Sequence, residues 1–267
     1  MHAFAARKVR YPTAPRPPLA LFETMRWELG EVRRWDRHLA RLTTSAAALG
    51  IPFDPAAAVS AVASAVAAAI GDDRTRVAQD DGSSGGPLRV RLELRENGAM
   101  AVDVRPHADT VPGSPPAAGH DLPIVVGSTV PICADDPARR HKTTDRALYD
   151  AATAWAAAAG VADVLFVNEH GRVAEGAISN VFLLGPDGRW RTPPVADGAL
   201  PGVLRGELIE QGKAVEAPLS PQDLSAGGLA IGNALRGLRP VRLASAPAWP
   251  PNTAPGARIT LETGGEP

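Results

Sequence analysis

Cysteine is almost missing from this chain: Cys133 is the only one in 267 residues. A single thiol excludes a disulfide framework within the chain and every multi-cysteine zinc or iron–sulfur site. An excess of one charge is missing too. The 28 basic and 29 acidic residues leave a net charge of −1, so no global positive potential draws in nucleic acid or anionic lipid, and neither is expected as a partner. Long apolar runs are also absent. The longest, Ala56 to Ile70, is broken by Ser60 and Ser64, and it falls short of the roughly 20 residues a bilayer crossing needs. The N-terminal MHAFAARKVRYPTAPRPP has basic residues with no apolar segment behind them, so no secretory signal is read and the expected compartment is cytoplasmic. There is no Walker sequence, no G-x-G-x-x-G after a strand and no H-E-x-x-H, and the histidines show no ligand spacing; no metal is expected.

What remains is a globular composition, 45% hydrophobic and 21% charged, with Gly and Pro marking the turns. After a Pro-rich lead-in, Leu19 to Trp35 reads as a hairpin turning at Leu29-Gly30. Leu39, Leu42, Ala46 and Leu49 recur at helical spacing, with Asp36 as expected N-cap and Gly50 as stop. Pro55 opens a second, Ala-rich helix to Ile70, and the polar run Gly71 to Gly86 is expected to be a mobile loop. Strands are expected at Leu88–Leu94 and Met100–Arg105 around Glu96-Asn97-Gly98. The best linker candidate lies within His107 to Asp121. Beyond it the pattern predicts a strand at Ile124–Ser128, a helix at Asp145–Ala159 capped by Asp145, strands near Val164–Val167 and Asn180–Leu184, a helix at Pro201–Gln211, and β segments near Leu229–Ile231 and Pro240–Leu243. The class is α/β, in two domains: residues 1–112, a linker at 113–122, and residues 123–267.

Gly82-Ser83-Ser84-Gly85-Gly86 fits G-x-S-x-G, but it sits in a polar run ahead of Pro87 and a strand, whereas a nucleophilic serine needs a strand-to-helix turn. A scarcity is more telling. Of the 28 basic residues only Lys8, Lys142 and Lys213 are lysines. Arginine cannot replace a nucleophilic amine, because its guanidinium stays protonated while a desolvated lysine sheds its proton. Lys8 lies in the tail, and Lys213 follows a helix end where a cation meets the dipole favourably. Lys142, in RRHKTTDR, has only the plain alternative of a solvated loop lysine. Glu175, in VAEGAISNVFLL, precedes an apolar strand and could be a simple turn acid. A pyridoxal phosphate bound to a lysine acts as an electron sink only while its ring nitrogen is protonated, and a buried carboxylate keeps it so; Lys142 and Glu175 offer both halves. LPGVLRGELI (Leu200 to Ile209) offers a phosphate cradle, a Pro-Gly entry into a helix whose first N–H groups are free.

These residues resemble the class IV aminotransferase family of fold-type IV pyridoxal phosphate enzymes, over about Leu21 to Val241. Four separated segments carry the resemblance: LFETMR, DRHLARL, HKTTDR and VAEGAISNVF. The spacing from Glu175 through Asn180, Phe182, Thr192, Leu200, Gly202, Val203 and Arg205 is similar to the family's C-terminal signature, with Trp190 where an aliphatic residue is usual. The resemblance implies a two-domain architecture with a small N-terminal α/β domain and a larger, β-barrel-like C-terminal domain with helices. It implies Lys142 as the Schiff-base lysine, Glu175 as partner of the pyridine nitrogen, Arg41 as a phosphate ligand, and the amides of Val203 and Leu204 at the phosphate. Leu204 replaces a threonine found in relatives, and Ala234 a late-strand Ser or Thr, which shifts phosphate contacts to backbone donors. On residue pattern alone, Arg41 reads as one more solvated charge on its helix.

Within the family, Ile231 to Val241, with Asn233, Ala234 and Leu235, resembles the corresponding segment of aminodeoxychorismate lyases. LFETMRWELGEV and HKTTDRALYD are similar to lyase domains fused in some chains behind the chorismate-aminating subunit. This implies formation of 4-aminobenzoate and pyruvate for folate biosynthesis, a functional link to that synthase, and a homodimer. The substrate carries two carboxylates, for which Arg95, Arg236 and Arg239 are candidates. The alternatives are an aminotransferase acting on D-amino or branched-chain acids, and a non-catalytic partner subunit that keeps the fold.

Overall fold

The computed structural model describes residues 19–77, 86–107, 124–244 and 248–250. The hairpin forms as the pattern predicts. Strand β1 (Ala20–Glu28) turns through Leu29-Gly30 into β2 (Glu31–Val32), with φ of 54° and 86° at the two turn residues, the conformation a two-residue hairpin loop needs. Strands β3 (Leu88–Arg95) and β4 (Met100–Pro106) complete an antiparallel sheet of order β2-β1-β3-β4.

Side-chain parity divides this sheet into two faces. Leu21, Met25, Val90, Leu92 and Leu94 enter one core together with Leu42, Ala46, Ala58 and Val62, which belong to helices α1 (Trp35–Leu49) and α2 (Pro55–Val77). The alternate residues Phe22, Thr24, Arg89, Arg91, Glu93 and Arg95 face the opposite way and line a cavity.

Helix α1 starts one residue before the expected cap. Arg34 occupies the cap position in a left-handed conformation without a side-chain bond, and Asp36 falls in the first turn, where its charge still meets the helix dipole. Helix α2 continues past Ile70 to Val77, so the expected loop is helical over 71–77. A single glycine costs about 1 kcal/mol in a helix, which is not enough to stop one already several turns long. Residues 78–85, with Ser84, and the expected linker at 113–122 lie outside the described residues.

The second half holds two more sheets. Strands β5 (Ile124–Gly127), β6 (Asp163–Val167), β7 (Val173–Gly176) and β13 (Arg242–Leu243) form a sheet of order β13-β5-β6-β7. Strands β8 (Asn180–Leu184), β9 (Trp190–Thr192), β10 (Ala214–Glu216), β11 (Leu229–Asn233) and β12 (Gly237–Pro240) form another, of order β10-β9-β8-β11-β12. Val125, Leu165, Val173, Val181, Leu183 and Ile231 share a core that joins the two sheets. Helix α3 (Ala147–Ala159) packs Ala152 and Ala156 against Val164 and Phe166, and α4 (Val203–Glu210) lies against β10 and β11. The expected Asp145 cap is not used: α3 begins at Ala147 with Arg146 in the cap position and no side-chain bond to its amides. The preceding residues are held extended instead, since Phe22 N donates to Lys142 O (2.9 Å) and Thr144 N to Ala20 O (2.8 Å). Among the described residues, no helix is long and apolar enough to cross a membrane.

A buried ionic cluster fastens α1 to β1. Glu23 accepts from Arg41 Nε (2.8 Å) and Nη2 (2.6 Å), and its Oε2 lies 2.7 Å from His38 Nδ1. Burial, the largest influence, pushes the Glu23 carboxyl up, but the charge and hydrogen bonds of Arg41 together with His38 outweigh it and hold the group at about 2, against an ordinary 4.5. A depressed carboxyl contributes stability that is present above the unfolded value and lost as pH falls through the folded one. Glu23→Gln is therefore expected to lower stability near neutrality by about 3 kcal/mol. That gap from the unaltered protein should close as pH falls from about 4.5 towards about 2, measured by urea unfolding at a series of pH values.

Candidate active site

The cavity of about 1050 Å³ lies where the outer face of the first sheet meets the second half of the chain. Lys142 enters it from the segment paired with β1. Its Nζ is 4.5 Å from the centroid of the Phe22 ring, and the Arg91 guanidinium sits 3.8 Å from the same centroid. Burial lowers the Lys142 ammonium from 10.5 to about 7; Arg41 and Arg146 repel its charge, and Glu23 and Glu175 offset this only in part. A lysine so placed is substantially neutral near pH 7 and can act as nucleophile or base.

Glu175 stands on β7, whose four residues are all buried, and is itself only 7% exposed. Its Oε1 accepts from the Tyr149 hydroxyl (2.5 Å) and its Oε2 from the Leu200 amide (2.9 Å). Burial raises its pKa, against the pull of those two donors and of the Arg139 and Lys142 charges.

The start of α4 supplies the anion cradle. Gly202 is its N-cap, with no side chain bonded to the first amides, and a helix's first four N–H groups have no acceptor within the helix. A Cβ on Gly202 would fall 1.9 Å from Asn180 Oδ1, while Asn180 Nδ2 holds the Leu200 carbonyl at 3.0 Å; only glycine allows the backbone this close. Arg41 reaches the same corner, donating from Nη1 to Pro201 O at 3.2 Å. Two further links tie α1 to α4, Arg34 to Glu207 (2.6 Å) and Arg37 to Glu210 (2.5 Å).

Arg41, Lys142, Glu175, Val203, Asn233 and Ala234 thus line one cavity, and Arg95 and Arg236 line it as well. Leu204 contributes only its backbone position to this corner: its side chain is buried, with Cδ2 2.9 Å from where a Cβ on Gly232 would stand. The Asn233 side chain is engaged in the fold, donating to Ile178 O (3.0 Å) and accepting from the amides of Leu235 (3.1 Å) and Arg236 (2.9 Å). Arg239 does not line the main cavity but a small adjoining recess, which Asn233 and Arg236 line as well. The sequence reading missed Arg89 and Arg91, although the period-2 alternation of LRVRLELR puts them on the face of Arg95. It also missed Arg139, Arg146 and Tyr149, for which no local pattern exists.

These residues fit pyridoxal phosphate. A lysine of depressed pKa, a buried carboxylate and a glycine-only helix entry open onto one space. Gly202→Ala should force Asn180 off the Leu200 carbonyl, destabilising the protein by roughly 1–3 kcal/mol as other overpacked sites do. It should also weaken cofactor binding at least about tenfold through the displaced amides, as read by thermal melting and by absorbance titration with the cofactor.

A family model for class IV amino-transferases matches residues 20–244. A Schizosaccharomyces pombe protein, provisionally assigned as an aminodeoxychorismate lyase, is 29% identical over 194 residues, 72% of this chain and 74% of that one. Among solved structures, a Mesorhizobium loti protein provisionally assigned as an amino-acid aminotransferase is 36% identical with a TM-score of 0.68, covering 85% of this chain and 100% of its own. The PLP-bound form of a hypothetical aminotransferase from Mycobacterium tuberculosis is 25% identical with a TM-score of 0.64, covering 86% of this chain and 84% of its own. The family match runs from β1 to the end of β13 and takes in every segment that supplies Arg41, Lys142, Glu175 and the α4 cradle; the chain belongs to the class IV aminotransferase family and is a pyridoxal-phosphate-dependent enzyme.

Proposed function

We propose that the protein is a 4-amino-4-deoxychorismate lyase, releasing 4-aminobenzoate and pyruvate for folate biosynthesis. The observation that carries this reading is a cavity whose lining is rich in arginines, Arg89, Arg91 and Arg95 from one strand and Arg236 from the β11–β12 turn. Such a lining suits a substrate with two carboxylates. The S. pombe relative, similar over most of both chains, and the Asn233-Ala234-Leu235 turn support it. The substrate is then the product of a chorismate-aminating synthase, which links the two enzymes functionally. A homodimer, which the family resemblance implies, of two-domain subunits divided near 113–122 and working in the cytoplasm completes the reading; the boundary and the compartment rest on the sequence pattern alone.

Bound pyridoxal phosphate supplies an electron sink for the carbon that carries the substrate amine. The chain's own groups do the rest. Val203 and Leu204 amides, with Arg41 beside them, hold the phosphate. Glu175 holds a proton at the ring nitrogen. Lys142 Nζ would take the proton from the amine-bearing carbon, and its depressed pKa leaves it substantially neutral for that task. Arg91, Arg95 and Arg236 orient the carboxylates. The neighbouring C–O bond would break with its electron pair leaving on the enolpyruvyl oxygen, Lys142 would return the proton to the methylene carbon so that the group departs as pyruvate, and the aromatised ring makes the step irreversible.

The second reading is an aminotransferase acting on D-amino or branched-chain acids, favoured by the likeness to the M. loti structure. A lyase needs no second substrate, whereas a transaminase stops after one half-reaction until a keto acid restores the cofactor. Aminodeoxychorismate alone is expected to give many turnovers, followed by 4-aminobenzoate fluorescence. No product, together with keto-acid-dependent turnover of D-alanine or leucine, would favour the transaminase.

Lys142→Ala should lose both activity and borohydride-fixed cofactor, and Lys213→Ala should lose neither, as read by peptide mapping. Because Lys142 must be neutral to accept a proton, kcat is expected to rise with pH through about 7, the profile of the substrate-bound enzyme reporting the free lysine. A kcat flat across that region would contradict the assignment.

A further inference from the structure

Tyr149 has no place in the scheme above, yet it is the hub of a partly buried relay. Its hydroxyl donates to Glu175 Oε1 at 2.5 Å and accepts from Arg139 Nη1 at 2.5 Å. Arg139 comes from the 3-10 turn Pro137–Arg140. It is anchored through Nε to the Cys133 carbonyl (2.9 Å), and its guanidinium lies 5.6 Å from the Tyr149 ring centroid. The ring itself stands edge-on to Phe166, with centroids 5.1 Å apart and planes at 86°, and Phe166 is the cross-strand partner of Glu175 in the β6–β7 pair. Ring and carboxylate are therefore braced on the same two buried strands.

The direction of the relay follows from donor chemistry. A guanidinium has only donors, so Arg139 can only give a hydrogen bond to the phenolic oxygen, and the phenol proton points at Glu175. Burial, and then the Glu175 charge, push the Tyr149 hydroxyl up, so it keeps its proton. Glu175 is the opposite case. Burial favours its protonated form, and the Tyr149 hydrogen bond is the first influence opposing this, ahead of the Leu200 amide and the Arg139 and Lys142 charges. Arg146 adds a further cation, 5.7 Å from the Tyr149 ring centroid. A carboxyl that kept its own proton could not hold one at a ring nitrogen.

We propose that Tyr149, backed by Arg139, is the positioning residue that keeps the Glu175 carboxylate ionised and aimed at the cofactor's ring nitrogen. This rests on the reading of Glu175 as the partner of that nitrogen. The role differs from scaffolding because the hydroxyl matters and the ring does not: phenylalanine keeps the contact with Phe166 and loses only the donor.

The test is the 15N shift of the cofactor's ring nitrogen, followed between about pH 6 and about pH 9. It is recorded in the holoenzyme, Tyr149→Phe, Arg139→Met and Glu175→Gln, alongside kcat, KM and the melting midpoint. The unaltered enzyme should keep the nitrogen protonated throughout. Tyr149→Phe should bring its titration into the range and lower kcat about tenfold, with KM within about twofold, on the scale of one lost hydrogen bond to a charged group. Arg139→Met should shift the titration in the same direction by less, since the hydroxyl remains, and it serves as the second variant should Tyr149→Phe fold poorly. A titration unchanged in Tyr149→Phe or, where that variant fails to fold, in Arg139→Met would overturn the proposal while Glu175→Gln still deprotonates the nitrogen. A nitrogen that stays protonated in Glu175→Gln would remove the role of Glu175 itself, and the proposal with it.

Discussion

The site depends on an unfinished sheet edge. Strand β2 is two residues long and pairs only with Trp27 and Glu28, so the first half of β1 has no neighbour on that side within its own sheet. The Lys142–Thr144 segment fills the gap, with backbone bonds to Ala20 and Phe22 and a further bond from the Ala20 amide to Thr144 Oγ1 at 2.9 Å. Unpaired strand edges seek partners, and here the partner is the stretch that carries the lysine. The same contact that closes the sheet brings Lys142 over Phe22 and into the space facing Glu175.

Helix α1 reinforces this joint from the other side. Arg37 and Arg41, four residues apart on one helical face, and Arg34 at the helix cap all reach the α4 region, to Glu210, Pro201 O and Glu207 respectively. Exposed ion pairs contribute little to stability. These act mainly as alignment, setting the helix that cradles an anion against the helix that brings Arg41. Arg41 is 13% exposed and shares its charge with Glu23, so it arrives at the cradle already oriented.

Two buried glutamates show how environment divides one side chain into two roles. Glu23 faces Arg41 and His38 and is held far below its ordinary range. Glu175 meets a phenol and one amide directly, with its cations further off, and burial raises it. The first is suited to structure, permanently charged and paired. The second is raised by burial and lowered by its donors and the cations around it, the kind of tension between environments that marks groups placed for proton chemistry.

Local sequence determined the local parts. The Leu29-Gly30 turn, the periodic face of α1, the strands around Asn97-Gly98 and the glycine at the entry of α4 are short-range consequences of φ preference and hydrophobic period, and they were legible without a fold. Lys142 stood out because lysine is rare here and cannot be replaced by arginine in amine chemistry, and Glu175 because it heads an apolar strand. Helix α1 starts earlier than expected, at a left-handed Arg34 with no side-chain cap, α3 starts later because the residues before it are held extended against β1, and α2 runs on because one glycine is a weak stop. Parity placed Arg89 and Arg91 beside Arg95, but only once the strand's outer face was known to border a cavity. That Arg236 lines the main cavity and Arg239 does not, and the convergence of Arg139, Tyr149 and Glu175 from a turn, a helix and a strand, were decided by tertiary packing alone. Proximity between residues far apart in the chain comes from how sheets and helices stack, and no window of sequence contains that information.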